Sequence, residues 1–244
     1  MNPAQRESYR DFAIKRLGVD FKDLNLFITA LTHRSYVNEH KKTVKEHNER
    51  LEFLGDAVLE LVSSDFLFRN YDQPEGIMTA WRAALVNTES NAASGEKLGY
   101  APLIRLSHGE QNGSKRALHS IIADCYEAII GAIYLDQGYD KARDFIAANT
   151  LGKIDQIIAD ESWRDAKSYL QEIAQHRAGV TPVYKVLQED GPDHDKTFTL
   201  GVFVKNKMIA SAKGHSKQEA QSKAAAAAIK YYRQQNSSSD EQLP

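Results

Sequence analysis

His47-Asn48-Glu49-Arg50-Leu51-Glu52-Phe53-Leu54-Gly55-Asp56-Ala57-Val58-Leu59-Glu60-Leu61 is a run in which carboxylates recur inside an apolar helical pattern. At roughly 100° per residue, Glu49, Glu52 and Asp56 fall on one face, while Leu51, Phe53, Leu54, Val58, Leu59 and Leu61 cover most of the rest. Acids clustered beside a core repel one another and are driven toward protonation unless positive charge compensates. A hard divalent cation meets that requirement.

A second stretch, Ser120 to Ala132, carries another pair of acids three apart, Asp124 and Glu127, in a run that is apolar nearly all round and reads as a buried helix. Two such helices face to face would bring Glu52, Asp56, Asp124 and Glu127 into one all-oxygen site. Such sets suit magnesium, with manganese as the natural substitute. A di-iron bundle would use Glu-x-x-His pairs, a spacing absent from this chain. The other reading of these acids is a set of buried salt bridges, with Arg50 or Arg82 as partners.

The 244 residues suffice for one ordinary domain and a small one, and 42% hydrophobic with 26% charged residues is an ordinary globular composition. The single Cys125 excludes an intrachain disulfide. Neither a signal-peptide pattern nor an apolar run of membrane-spanning length is evident, so a soluble, reducing, cytoplasmic setting without membrane contact is expected. Net charge is -2, but unevenly spread. Residues 162 to 233 hold 12 Lys and Arg against 7 Asp and Glu, or +5, leaving 19 against 26, or -7, elsewhere. The basic part is suited to nucleic acid and the acidic part to metals.

Along the chain, residues 4 to 17 form a charged amphipathic segment stopped at Gly18, and Phe21 to His33 follows with an apolar face. Residues 37 to 47 read as a polar, Lys-rich connection before the acidic helix. Asp72 to Gly76 is a loop, Trp81 to Val86 is helical, Ser90 to Tyr100 is a short helix stopped near Gly99, and Gly109 to Ser114 is a loop. Tyr139 to Ile158 is helical with a break near Thr150 to Gly152. No strand is expected before residue 180, so residues 1–158 read as an all-α domain. A linker near 158 to 163 follows. Then come a helix (Ala166 to His176, ending at Gly179), strands Pro182 to Leu187, Phe198 to Val204 and Met208 to Ala212, and a helix Ser216 to Tyr232. Residues 163–233 are thus α-β-β-β-α, the whole chain is α+β, and residues 234–244, rich in Gln and Ser, are expected to be disordered. Ala224 to Ala228 would let the last helix pack closely on a small sheet.

Asn48 to Asp56 resembles the signature of the ribonuclease III family, as do Ala30-Leu-Thr-His-Arg-Ser-Tyr36 before it and Ala123-Asp-Cys-Tyr-Glu-Ala-Ile-Ile-Gly-Ala132 after it. The part after residue 160 resembles a double-stranded RNA-binding domain. The resemblance implies a homodimeric, Mg2+-dependent endonuclease that cuts both strands of RNA duplexes to 5′-phosphate and 3′-hydroxyl ends, with ribosomal and other precursor RNAs as usual substrates. It implies Glu52, Asp56, Asp124 and Glu127 as the metal-binding catalytic set. Glu49 matches a further acid near the site, and Glu75 one at its edge.

In the second domain the resemblance implies duplex contacts at Ser168, Gln171, Glu172 and Gln175 on the first helix, at His194 in the loop after Gly191-Pro192, and at Lys217 where the closing helix begins. Gln218 and Gln221 stand where the family commonly has basic residues, so a modest RNA grip is expected, with Lys213 and Lys223 as compensating charges. Lys115 to His119 also departs from the family's Arg-Arg-Glu-Ser run.

Among rival chemistries, Cys125 and His119 are nearly two helical turns apart, which disfavours a thiol nucleophile. His40 and His47 lack paired zinc ligands, and there is no Gly-x-Ser-x-Gly or phosphate-cradling glycine loop. A non-catalytic duplex-RNA binder that uses the nuclease fold only to dimerise is the rival from another class. Retention of all four acids argues against it. Phe53 and Leu54 are the candidates for a dimer interface, with an intrachain core role as the alternative.

Overall fold

Asn2 starts the chain's first helix, α1 (Pro3–Phe12), with a capping box: its side chain accepts from the Gln5 backbone N–H, and Gln5 accepts in return from Asn2 N. The computed structural model describes residues 1–111, 113–192 and 196–239. A π-helical turn, Ala13–Leu17, closes at Gly18, whose φ of 69° is the left-handed stop expected there. Then follow α2 (Leu24–Ala30), α3 (Arg34–Glu39), α4 (Glu49–Asn70), α5 (Glu75–Val86), α6 (Thr88–Leu98), α7 (His108–Gln111), α8 (Lys115–Gln137), α9 (Tyr139–Asn149) and α10 (Ile154–Ala159). Two elements fall where irregular chain was expected. Residues 37–39 belong to α3, which His33 caps by accepting from Ser35 N, and α7 occupies part of the expected loop at 109–114.

Contacts divide the chain into two units, Met1–Trp163 and Arg164–Pro244. Trp163, expected in the linker, packs edge-on to Trp81 with ring centroids 6.3 Å apart, so its indole belongs to the first unit. The core of that unit is built around α4 and α8. α8 has 23 residues and is apolar and long enough to cross a membrane, contrary to the expectation from the sequence. Its apolar side chains are spent inside the unit instead: Ile121, Ile122, Cys125, Tyr126, Ile129, Ile130 and Ile133 are all buried there.

The second unit is α11 (Ala166–Ala178), β1 (Val183–Asp190), β2 (Thr197–Val204), β3 (Lys207–Gly214) and α12 (Lys217–Ser239). The strands form an antiparallel sheet in the order β1-β2-β3, with register shifts at Val186/Gln188 and Val202/Phe203. Lys205 and Asn206, both at positive φ, make the two-residue turn between β2 and β3. Ala224, Ala225 and Ala228 are buried with Leu170, Val202 and Ile229, while Ala226 and Ala227 face out, so the alanine run does serve close packing on one side. α12 continues through residues 234–239, which had been expected to be disordered. Gln is a good helix former, Gln235 bonds back to the Tyr231 hydroxyl at 2.7 Å, and no proline intervenes before Pro244. Residues 240–244 and His194 lie outside the described residues.

Candidate active site and RNA-binding surface

At the crossing of α4 and α8 the two backbones touch through glycines. A Cβ on Gly55 would overlap the Glu127 carbonyl oxygen, and one on Gly131 would overlap the Leu51 carbonyl oxygen. Glu52 and Asp56 flank Gly55 on α4, and Asp124 and Glu127 precede Gly131 on α8, so this close approach sets the four acids facing one another. The first motif supports the arrangement from below. The Thr32 carbonyl accepts from Asn48 N at 2.9 Å at the start of α4, and Thr32 Oγ1 accepts from Arg105 Nη1 at 3.1 Å.

Electrostatics register the convergence. Burial, reinforced by Asp56, Glu52 and Asp124, pushes the Glu127 carboxyl up from 4.5 to about 7, against an opposing hydrogen bond from Asn91. Glu52 is raised by burial and then by Asp124, Glu49 and Asp56. Asp56 is raised by burial and by Glu60; Asp124 is raised by burial, which the nearby His33 partly offsets. Among the described residues none of the four is ion-paired, and Arg82 donates instead to Ser64 Oγ at 2.9 Å. The salt-bridge reading of these acids therefore finds no partner. Also among the described residues, no three His, Cys, Asp or Glu side chains converge closely enough to enclose an ion in the rotamers present. The donor set still fits a hard cation: four oxygen-only side chains, three of them half-buried and Asp56 exposed, mutually repelling and without an ion pair among the described residues.

The other expected residues part company from this group. Glu49 stands 3.6 Å from the Arg34 guanidinium Nη1 and 3.8 Å from His47 Nδ1. Glu75 is exposed at the start of α5 and lines a shallow recess with Leu61, Phe68 and Arg82. Cys125 is fully buried, accepts from Asn48 Nδ2 at 3.7 Å and has its thiol pKa driven far up by burial, as suits a structural thiol. Asn91 was missed by sequence reasoning: its Nδ2 donates to Glu127 Oε1 at 2.8 Å. The available signal was an Asn in the middle of a short helix otherwise rich in Ala, Ser and Gly.

In the second unit Ser168, Gln171, Glu172 and Gln175 are all exposed along α11, on the side away from buried Leu170 and Ala174. Glu172 is paired with Arg164 at 2.8 Å. Lys217, at the first turn of α12, pairs with Glu189 at 3.0 Å, and Lys223 pairs with Glu219 at 2.8 Å. Gln221 accepts from Lys167 Nζ at 3.1 Å. Two of the cations counted on for phosphates are thus partly neutralised by neighbours.

A family model described as Ribonuclease-III-like matches residues 23–154, and one described as Double-stranded RNA binding motif matches residues 166–232. Ribonuclease 3 of Desulforamulus reducens is 44% identical over 211 residues, 86% of this chain and 86% of that protein. Ribonuclease 3 of Protochlamydia amoebophila is 42% identical over 227 residues, 92% of this chain and 93% of that one. The solved nuclease domain of ribonuclease III from Campylobacter jejuni, described for flexibility in a region involved in dimer formation, aligns with a TM-score of 0.50 at 42% identity over 55% of this chain and 94% of its own. With matches of this extent over both units, the chain belongs to the ribonuclease III family and is an endoribonuclease whose helical nuclease unit precedes a double-stranded RNA-binding unit.

Proposed function

We propose that this endoribonuclease is a Mg2+-dependent homodimer that hydrolyses both strands of duplex RNA to 5′-phosphate and 3′-hydroxyl ends, acting in the cytoplasm on ribosomal and other precursor RNAs. The observation that carries the metal dependence is the set Glu52, Asp56, Asp124 and Glu127, brought together at the Gly55–Gly131 crossing, none of them ion-paired among the described residues and only Asp124 eased by a nearby His33. These four residues would hold the ion, with Glu49 at the edge. A divalent cation there supplies Lewis acidity, lowering the pKa of water and offsetting charge at the scissile phosphate. The chain's own groups bind and orient, and with water rather than the ribose 2′-hydroxyl as the nucleophile no His pair is required for general acid-base work. Exposed polar side chains of α11 and Lys217 would meet minor-groove hydroxyls and phosphates.

The dimer rests on the outer face of α4. Phe53 is 80% exposed, Leu61 57% and Phe68 76%, and they share one side of the helix. Beside Phe53 lies a groove of about 960 Å3 whose walls include Leu26, Leu51, Leu54 and Leu135. A protruding ring next to a recess on one patch is self-complementary under two-fold symmetry. Such a pairing would set two acid clusters on one duplex, one for each strand.

The test is incubation of the purified chain with a fully paired RNA, in Mg2+ or in Ca2+. Discrete shortened duplexes in Mg2+ alone are expected, with Glu127→Gln and Asp56→Asn binding duplex but not cutting it. Equal cutting in the presence of a chelator, or by Glu127→Gln, would overturn the metal assignment.

A further inference from the structure

Asn91 is wholly buried in α6, and its amide nitrogen donates to two acceptors, the Val86 carbonyl at 3.1 Å and Glu127 Oε1 at 2.8 Å. Because both neighbours accept, the amide can be oriented only one way: a flipped Asn would set its carbonyl oxygen against a carbonyl and a carboxylate. We propose that Asn91 is a positioning residue for the cation site, tying Oε1 of Glu127 so that Oε2 is the oxygen presented to a divalent ion. This rests on the reading that Glu127 is a ligand.

A purely structural role accounts poorly for an Asn at this place. Asn is a weak helix former, and Asn91 Oδ1 is buried with no hydrogen-bond partner among the described residues, a cost that a leucine of similar shape would not incur. The hydrogen bond to Glu127 is the compensating gain, since a donor to a carboxylate makes a shorter and stronger bond than one to a neutral group. Asn91 also stands on a braced platform. Asn87 caps α6 by accepting from Ser90 N at 2.8 Å. Lys153 Nζ donates to Ser90 O at 2.7 Å, Ser90 Oγ at 2.9 Å and Ser94 Oγ at 2.7 Å. Ser94 Oγ in turn donates to the Asn149 carbonyl at 3.0 Å. A side chain anchored this way constrains a ligand's rotamer as outer partners of metal ligands generally do.

The experiment compares the full chain with Asn91→Leu, Asn91→Ala and Glu127→Gln. It reads the Mg2+ concentration for half-maximal duplex cleavage, Mn2+ affinity by calorimetry without RNA, and thermal melting. Asn91→Leu is expected to melt normally, to raise the half-maximal Mg2+ concentration roughly 10–100-fold, to weaken Mn2+ binding by a similar factor, and to recover most of its turnover at saturating Mg2+. A folded Asn91→Leu with unchanged Mg2+ and Mn2+ dependence, beside a defective Glu127→Gln, overturns the assignment of Asn91 alone. Normal Mn2+ binding and cutting by Glu127→Gln would remove the ligand reading and the Asn91 assignment with it. Failure of both Asn91 variants to fold would make the residue structural and also overturn the assignment.

Discussion

Gly55 and Gly131 set the geometry of the candidate site without contributing a functional group. Each lies where a methyl would strike the other helix's backbone, and a helix backbone cannot yield as a flexible side chain can. Gly55→Ala is therefore expected to destabilise the first unit by about 3 kcal/mol in urea denaturation and to abolish cutting. Glu127 makes a second prediction at this scale. Its folded pKa of about 7 lies above its ordinary 4.5, so the folded state holds a proton that the unfolded chain has released between these values. The stability from that proton is complete below pH 4.5 and is lost as pH rises through about 7. Without divalent cations, Glu127→Gln should melt increasingly above the parent chain between pH 5 and 8; a constant difference would contradict the raised pKa.

Within elements, the second unit's RNA grip is set by which acids sit beside its lysines. Glu189 on β1 holds Lys217 at 3.0 Å, competing with any phosphate that approaches the start of α12. Glu189→Gln should tighten duplex binding several-fold at low salt and steepen the slope of log affinity against log salt by up to about one unit. The β2–β3 turn is a separate case. Lys205 and Asn206 have φ of 49° and 63°, both left-handed, where Asn-Gly is the favoured pair. Lys205→Asn combined with Asn206→Gly is expected to stabilise this unit by about 1 kcal/mol, read from its urea transition.

For the whole molecule, the predicted consequence of the exposed α4 stripe is assembly. Phe53→Glu should weaken dimerisation at least about 30-fold in sedimentation equilibrium, the equivalent of a hot-spot contact of about 2 kcal/mol. The monomer should keep its helical spectrum, because Phe53 contributes little to the intrachain core. A stable dimer of Phe53→Glu would place the interface elsewhere. The charge asymmetry, +5 over residues 162 to 233 against -7 elsewhere, also belongs to this scale: it favours duplex attraction by the basic stretch.

The sequence by itself determined what depends on near neighbours. Carboxylates three and four apart among leucines declared the acid face of α4, and Asp124 with Glu127 declared its counterpart, because helical periodicity is a short-range property. Alternation from Phe198 to Val204 likewise announced β2. Only the tertiary structure decided which backbones touch. Glycines within helices are visible as oddities, yet that Gly55 meets Glu127 and Gly131 meets Leu51 follows from packing residues more than seventy positions apart. The same holds for Asn91 beneath Glu127 and for Glu189 against Lys217, since a polar side chain does not name its partner. By pattern, an interface role and an intrachain-core role are equally open to Phe53 and Leu54. Adjacent helical side chains point about 100° apart, and packing against the core leaves Phe53 outside while it half-buries Leu54.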